Sequence, residues 1–156
     1  MIMREKLDRA MICVPIVAKN DNEALNQVEE IIEKCKTAKI DIAEFRADYY
    51  TGLKDYNMLK DILTKTRTML NDVGIKLLFT IRSKAEGGEE LSFNSPSINE
   101  INLYIAQNNL SDMIDVEHYS DKNSADSVIK AAKEHNIKVI LSSHDFEKTP
   151  KLNEMI

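Results

Sequence analysis

The residues of this 156-residue chain best suited to chemistry fall in four short segments: Glu44-Phe45-Arg46-Ala47-Asp48, Arg82 to Glu90, Asp115-Val116-Glu117-His118 and Ser142-Ser143-His144-Asp145. In an extended segment alternate residues share a side, so Glu44, Arg46 and Asp48 face one way and Phe45 and Ala47 the other. Charges gathered on one side of an internal strand are costly unless they pair or meet a polar ligand, which leaves an ion-pair network and a binding site both open. The segment from Arg82 to Glu90 holds Gly87 and Gly88, half of the chain's 4 glycines, and reads either as a solvated turn or as backbone lying close to something. His144 is the best single candidate for general acid–base work, because imidazole both takes and gives a proton near neutral pH. A histidine beside Asp145 also suits a structural hydrogen-bonded pair. His118 has the weaker case, and His135 belongs to the polar end of a helix, facing solvent and favourable to its dipole.

Two chemistries fit this inventory. In a metal-assisted one, Asp115, Glu117, His118, His144 and Asp145 collect around a divalent ion. In a metal-free one, a histidine and a neighbouring acid move a proton while arginines hold an anionic or hydroxyl-rich substrate. The lack of HxH or HExxH spacing, and the arginines in two separate segments, favour the second.

These groups need elements to position them. The apolar runs Met11 to Ala18, Ile42 to Phe45, Lys76 to Ile81, Met113 to Val116 and Lys138 to Leu141 have the length and β-branched content of buried strands. Helical spacing fills the gaps. Asp21 to Lys39 carries Leu25, Val28, Ile32 and Cys35 on one stripe behind an Asn20 or Asp21 cap. Leu53 to Asp72 is a second helix, with Gly74 as its stop. Ser95-Pro96 opens a third that buries Ile98, Ile101 and Ile105. The fourth uses Ala125, Val128, Ile129 and Ala132, with Asn123 or Ser124 as cap, and a fifth begins near Leu152. Strand starts lie roughly 25–37 residues apart, and that alternation predicts right-handed βαβ crossovers in a parallel sheet, hence the α/β class. Periodicity alone does not separate an open doubly wound sheet from part of a (β/α) barrel. No GxGxxG or GxxxxGK[ST] supports nucleotide binding. In either architecture the carboxyl ends of the strands are where ligands bind, and the charged segments fall there.

Composition narrows the classes further. Hydrophobic residues make up 43% and charged residues 30%, with Gly 4 and Pro 3, the balance of a globular protein. A net charge of −5, from 21 basic and 26 acidic residues, argues against nucleic acid as a partner. No apolar run approaches the ~18 residues of a membrane-spanning helix, and the first residues have no signal-peptide pattern, so the expectation is a cytoplasmic protein with no membrane partner. Cys13 and Cys35 lack CxxC spacing and sit in apolar patterns, predicting reduced, buried thiols.

Taken together, Glu44-Phe45-Arg46-Ala47-Asp48, Leu78-Phe79-Thr80-Ile81-Arg82-Ser83 with Glu86-Gly87-Gly88-Glu89, Asp112-Met113-Ile114-Asp115-Val116-Glu117, and Ser143-His144-Asp145-Phe146 with Thr149-Pro150 resemble type I 3-dehydroquinate dehydratase. The resemblance runs from the first strand to the last residues, in order. It implies a (β/α)8 TIM-barrel fold, of which residues 1–156 supply about the first five β/α units as one partial barrel domain, with 1–10 as a divergent N-terminal segment. It also implies a lyase that dehydrates 3-dehydroquinate to 3-dehydroshikimate through an imine with a lysine, without metal or cofactor, in a cytoplasmic homodimer. By resemblance, His144 is the proton-transferring histidine and Glu86 the acid that orients it, both catalytic. Glu44, Arg46 and Arg82 bind substrate, and Asp48 and Glu117 have supporting roles. The family's imine-forming lysine lies on a sixth strand in a Pro-Lys-Ile-Ala type segment, which these residues do not contain. Pro15 stands where some members have a substrate-contacting serine. The resemblance therefore implies that this chain by itself has very low turnover, with non-catalytic binding of a polyhydroxy acid or a partner as the alternative.

Overall fold

The computed structural model describes residues 9–91, 95–118 and 122–149. Each apolar run forms a short strand: β1 (Cys13–Ile16), β2 (Ile42–Arg46), β3 (Lys76–Thr80), β4 (Met113–Glu117) and β5 (Lys138–Ser142). Helices α1 (Asp21–Cys35), α2 (Tyr56–Asn71), α3 (Ser95–Gln107) and α4 (Lys122–Glu134) connect them, and single turns of 3-10 helix follow β2 (Ala47–Tyr49) and β3 (Lys84–Glu86). Residues 1–8 of the expected divergent segment 1–10, and the fifth helix near Leu152, lie outside the described residues.

Local chemistry sets the boundaries. Asn20 caps α1 by accepting the Glu23 N–H at 3.0 Å, and the Glu23 carboxylate reaches back to the Lys19 N–H at 2.8 Å. The helix stops at Cys35 rather than Lys39, because the N–H groups of Lys36, Thr37 and Ala38 turn back onto Glu33 and Lys34. Helix α2 starts at Tyr56 rather than Leu53, since the Asp55 carboxylate takes the N–H groups of Asn57 and Met58 and so defines the cap. Helix α4 begins at Lys122, which puts Asn123 and Ser124 in its first turn instead of at its cap. Ser124 accepts the Asn99 amide at 2.9 Å and ties α4 to α3. The buried line of α1 is Ala24, Val28 and Ile31, with Leu25, Ile32 and Cys35 flanking it, and in α4 Ala131 is buried while Ile129 is 36% exposed.

The strands lie in the order β1-β2-β3-β4-β5, every neighbouring pair parallel. That order settles the ambiguity left by periodicity. Right-handed crossovers that always step in the same direction place every helix on one face of the sheet, whereas a doubly wound sheet must reverse its order to clothe both faces. Phe45, Leu77, Phe79, Ile114 and Val116 supply the helix side and pack into one core with Val28, Leu59, Ile62, Ile105 and Val128. Their near-complete burial is the principal stabilising term, roughly 1.5–3 kcal/mol for each large side chain.

By strict alternation the other face carries Cys13 and Pro15 of β1, Ile42, Glu44 and Arg46 of β2, Leu78 and Thr80 of β3, and Asp115 and Glu117 of β4. Ile42 and Leu78 are buried there but belong to no part of the helix-side core. This is the inward face of a β/α barrel, and it turns polar toward the carboxyl ends. Pro15, which cannot donate to a ladder, is tolerated because β1 is an edge strand among the described residues.

The expectation of buried thiols is corrected: Cys13 is exposed and Cys35 half-buried, because β1 is an edge and Cys35 ends its helix. Both are unpaired thiols. Although Cys13 reaches solvent, the protein around it and the Glu44 carboxylate push its thiol up to about 11, so it stays protonated at neutral pH. Among the described residues no helix is long and apolar enough to cross a membrane.

Candidate active site at the carboxyl ends of the strands

Arg82 leaves β3 pointing into the inward face and is 6% exposed. Its guanidinium is ringed by carboxylates: Asp115 at 3.0 Å, Glu117 at 3.2 Å and Glu86 at 3.4 Å. The same group donates to the Ser142 hydroxyl at 2.8 Å, and that hydroxyl donates to Asp115 at 2.8 Å. Glu117 also accepts the Ser83 N–H at 2.8 Å. Three carboxylates around a single guanidinium leave negative charge in excess. Burial accordingly pushes the Asp115 carboxyl above the usual carboxylate range, against the pull of Arg82 and Ser142.

Glu86 links this network to His144. Its Oε2 accepts the His144 backbone N–H at 3.0 Å and lies 2.9 Å from His144 Nδ1. A carboxylate can only accept, so Nδ1 carries the proton in this contact, and in the neutral ring the lone pair is on Nε2. The His144 side chain is 41% exposed while that of Glu86 is 9% exposed, an accessible ring held from behind by a hidden acid. Glu86 is placed by the glycines after it. Gly87 has φ +86°, and a side chain at Gly88 would bring its Cβ within 2.0 Å of the Arg82 carbonyl, so only glycine lets this loop lie on the strand end. A cleft of about 440 Å³ opens beside Glu86 and His144, bordered by Ala85, Ser143 and Phe146.

Strand β2 contributes a second cluster. Arg46 forms a two-pronged ion pair with Asp48, Nε to Oδ1 at 2.9 Å and Nη2 to Oδ2 at 2.8 Å, and its guanidinium sits 5.2 Å from the centre of the Tyr49 ring. The Asp48 carboxylate holds the Arg46 guanidinium more firmly charged than usual. Asp48 also accepts the Arg82 N–H at 3.4 Å and the Glu89 N–H at 3.3 Å. Glu44 shares the inward side with Arg46, half-buried, and its charge bears on Cys13, Arg46 and Asp115.

The structure thus links Arg82 to His144 through Glu86 and sets Glu44 and Arg46 on β2, with Arg46 joined to the Arg82 N–H through Asp48. The residues grouped for a metal go separate ways. Asp115 and Glu117 turn to Arg82, His144 turns to Glu86, Asp145 caps the N–H groups of Glu147 and Lys148, and the His118 N–H bonds the Ser142 carbonyl. His135 is exposed, following α4 as expected. Sequence reasoning gave Ser142 no role and gave Asp115 one only as a metal ligand. Parallel register would have found both, since Asp115, Glu117 and Ser142 lie on the same face at the same end as Arg82.

Helices confined to one face of a unidirectional parallel sheet, with a polar cluster at the carboxyl ends, define a protein of the (β/α) barrel class. The profile of type I 3-dehydroquinase matches residues 12–156, and the chain belongs to that family. A 3-dehydroquinate dehydratase of Clostridioides difficile (strain 630) is 36% identical over 148 residues, which cover 95% of this chain and 55% of that protein. Among solved structures, a type I 3-dehydroquinate dehydratase from Clostridium difficile, described with covalently modified comenic acid, matches with a TM-score of 0.83 at 37% identity, over 94% of this chain and 55% of that one. A 3-dehydroquinate dehydratase from Geobacillus kaustophilus HTA426 matches with a TM-score of 0.83 at 27% identity, over 95% of this chain and 55% of that one. The chain spans about half the length of the relatives it matches.

Proposed function

We propose that the carboxyl-end cluster is the proton-transfer and substrate-holding portion of a 3-dehydroquinate dehydratase site. The observation that carries this is the Glu86–His144 contact at 2.9 Å, which leaves His144 Nε2 as an available base beside an open cleft. Dehydration needs a base to take the proton next to the substrate carbonyl and an acid to hand a proton to the departing hydroxyl. His144 can serve both steps in turn: Nε2 accepts the carbon-bound proton, Glu86 stabilises the imidazolium so formed, and the same proton leaves with the hydroxyl as water. Arg46 and Glu44 are suited to the hydroxyls of a polyhydroxy acid, one as a donor and the other as an acceptor. Arg82 shares that substrate side while its fork gathers Glu86 and Glu117.

The family's Schiff base would make the proton acidic by drawing electrons toward an iminium. No lysine borders the cleft among the described residues: Lys84 is paired with Glu90 at 2.7 Å on the surface and Lys148 is exposed. The part played by these residues is therefore binding and proton transfer, and binding without turnover is the second reading. A cytoplasmic location and pairing of two chains accompany the main reading, the latter supported by the unpaired outer edges of β1 and β5 among the described residues. The test is calorimetric titration with 3-dehydroquinate alongside a dehydration assay. Saturable binding that weakens in His144→Ala supports the reading, and no binding by the intact chain overturns it.

A further inference from the structure

Asp48 is the most deeply hidden charged side chain of the cluster, with 0% side-chain exposure, yet it touches neither His144 nor the cleft. Its polar contacts are to Arg46 and to two strand-end and loop N–H groups. Two are the short bonds from Arg46, whose own side chain is 20% exposed. Two are longer bonds from backbone N–H groups, at Arg82 where β3 ends and at Glu89 where the glycine loop ends. A buried carboxylate is tolerated only with partners on both oxygens, and here both are supplied from separate elements. The arrangement commits the Nε and Nη2 edge of Arg46 to Asp48, so a ligand would be met by the remaining guanidinium N–H groups. Tyr49 supports the guanidinium at 5.2 Å from its ring centre, so its plane is held as well as its edge.

We propose that Asp48 is a positioning residue that sets the Arg46 guanidinium for an oxygen-rich ligand and docks the loop bearing Glu86 against β2. This rests on the functional reading above for the identity of the ligand, and on geometry alone for the positioning. The 3-10 turn Ala47–Tyr49 takes Asp48 out of β2 and lets its carboxylate meet the guanidinium of the residue two positions earlier.

The test uses the full chain and its Asp48→Asn and Asp48→Glu variants, followed by the Arg46 Nε–H resonance in 1H–15N spectra (assigned with Arg46→Lys), by calorimetric binding of 3-dehydroquinate, and by thermal melting. In the unvaried chain the Nε–H should exchange slowly with solvent. Asp48→Asn should lose that protection and weaken binding by about tenfold, the scale of one charge-assisted hydrogen bond. Asp48→Glu keeps the charge but displaces it by one methylene, so it should fold, keep a shifted Nε–H signal and bind more weakly than the unvaried chain. Should Asp48→Asn fail to fold, the unvaried chain and Asp48→Glu decide. Rapid Nε–H exchange in the unvaried chain, or unvaried affinity in Asp48→Glu, overturns the proposal. If the unvaried chain binds no 3-dehydroquinate, the functional reading falls, and a protected Arg46 Nε–H lost in Asp48→Asn still supports the positioning while its persistence there overturns it.

Discussion

The two ends of the parallel sheet use the same residue types in opposite ways. At the amino end, Asp41 and Asp112 each stand just before a strand, and each carboxylate accepts a backbone N–H at the start of the neighbouring one, from Ile12 just before β1 and Leu77 in β3, at 2.8 and 2.9 Å. Each also pairs with an arginine, Arg9 at 2.6 Å and Arg67 at 2.9 Å. There one acid meets one base and the result is a stitch between strand starts. At the carboxyl end the balance is broken: Arg82 answers three acids, and a histidine is held against the most loop-borne of them. Paired charge at one end secures the sheet. At the other, excess negative charge gathers round one buried cation beside a histidine, which matches the division between stability and chemistry expected for the two faces of a β/α barrel.

The sharpest way to break this contrast is to remove the shared cation. Arg82→Ala should destabilise the chain by about 3–5 kcal/mol, because it strands buried carboxylates without a counter-charge. Urea unfolding at pH 7 measures it, and the loss should shrink as the pH is lowered and the carboxylates take up protons. A loss below that of an amino-end variant would mean that the network contributes little.

Asp112→Ala comes next, with an expected cost of about 1–3 kcal/mol for leaving the Leu77 N–H without its acceptor and the Arg67 guanidinium with only the Asn109 contact. Its effect should be on stability alone, with binding of 3-dehydroquinate unchanged, which calorimetry on the folded variant would check.

Asp115→Asn should behave unlike either. Because burial raises the Asp115 pKa, its ionised form is disfavoured in the folded state. That penalty is fully present above the raised pKa and vanishes below the ordinary carboxylate value of about 3.9. The neutral variant should therefore match or exceed the parent in denaturant midpoint at pH 7, within about 1 kcal/mol, with any advantage fading in acid. A loss as large as that of Arg82→Ala would show that Arg82 depends on this particular charge.

The smallest effect belongs to Asp41. The Ile12 N–H and the Arg9 guanidinium hold its carboxyl below the usual range, so its stabilising contribution is present above the unfolded pKa and disappears as pH falls through the folded one. Denaturant midpoints of the parent and Asp41→Asn should differ slightly at neutral pH and converge in acid. A gap that persists in acid would contradict the assignment.

The same contrast explains what could be read from the sequence. The helix side was legible because Phe45, Phe79, Ile105 and Val128 follow the periods of strand and helix, and burial acts on those periods directly. The edges of the elements were less so: Asp55 overrode the apolar pattern that placed Leu53 in α2, and Cys13 is exposed because periodicity does not say which strand lies at an edge. In the site, His144 stood out by residue type, Glu44, Arg46 and Arg82 by charge at strand ends, and Glu86 by the family resemblance. The connections among them did not, because the Arg82–Asp115–Ser142 contacts cross strands far apart in the chain and depend on register. Asp48 was seen as one of an alternating set, whereas its role follows from the turn that takes it out of β2.

The central claim is that these residues bind the substrate and move its protons but do not supply the nucleophile. Borohydride reduction of the purified chain with 3-dehydroquinate, followed by intact-mass measurement, tests this directly. The account predicts saturable binding with the mass unchanged. A stable adduct on a lysine of this chain would contradict it.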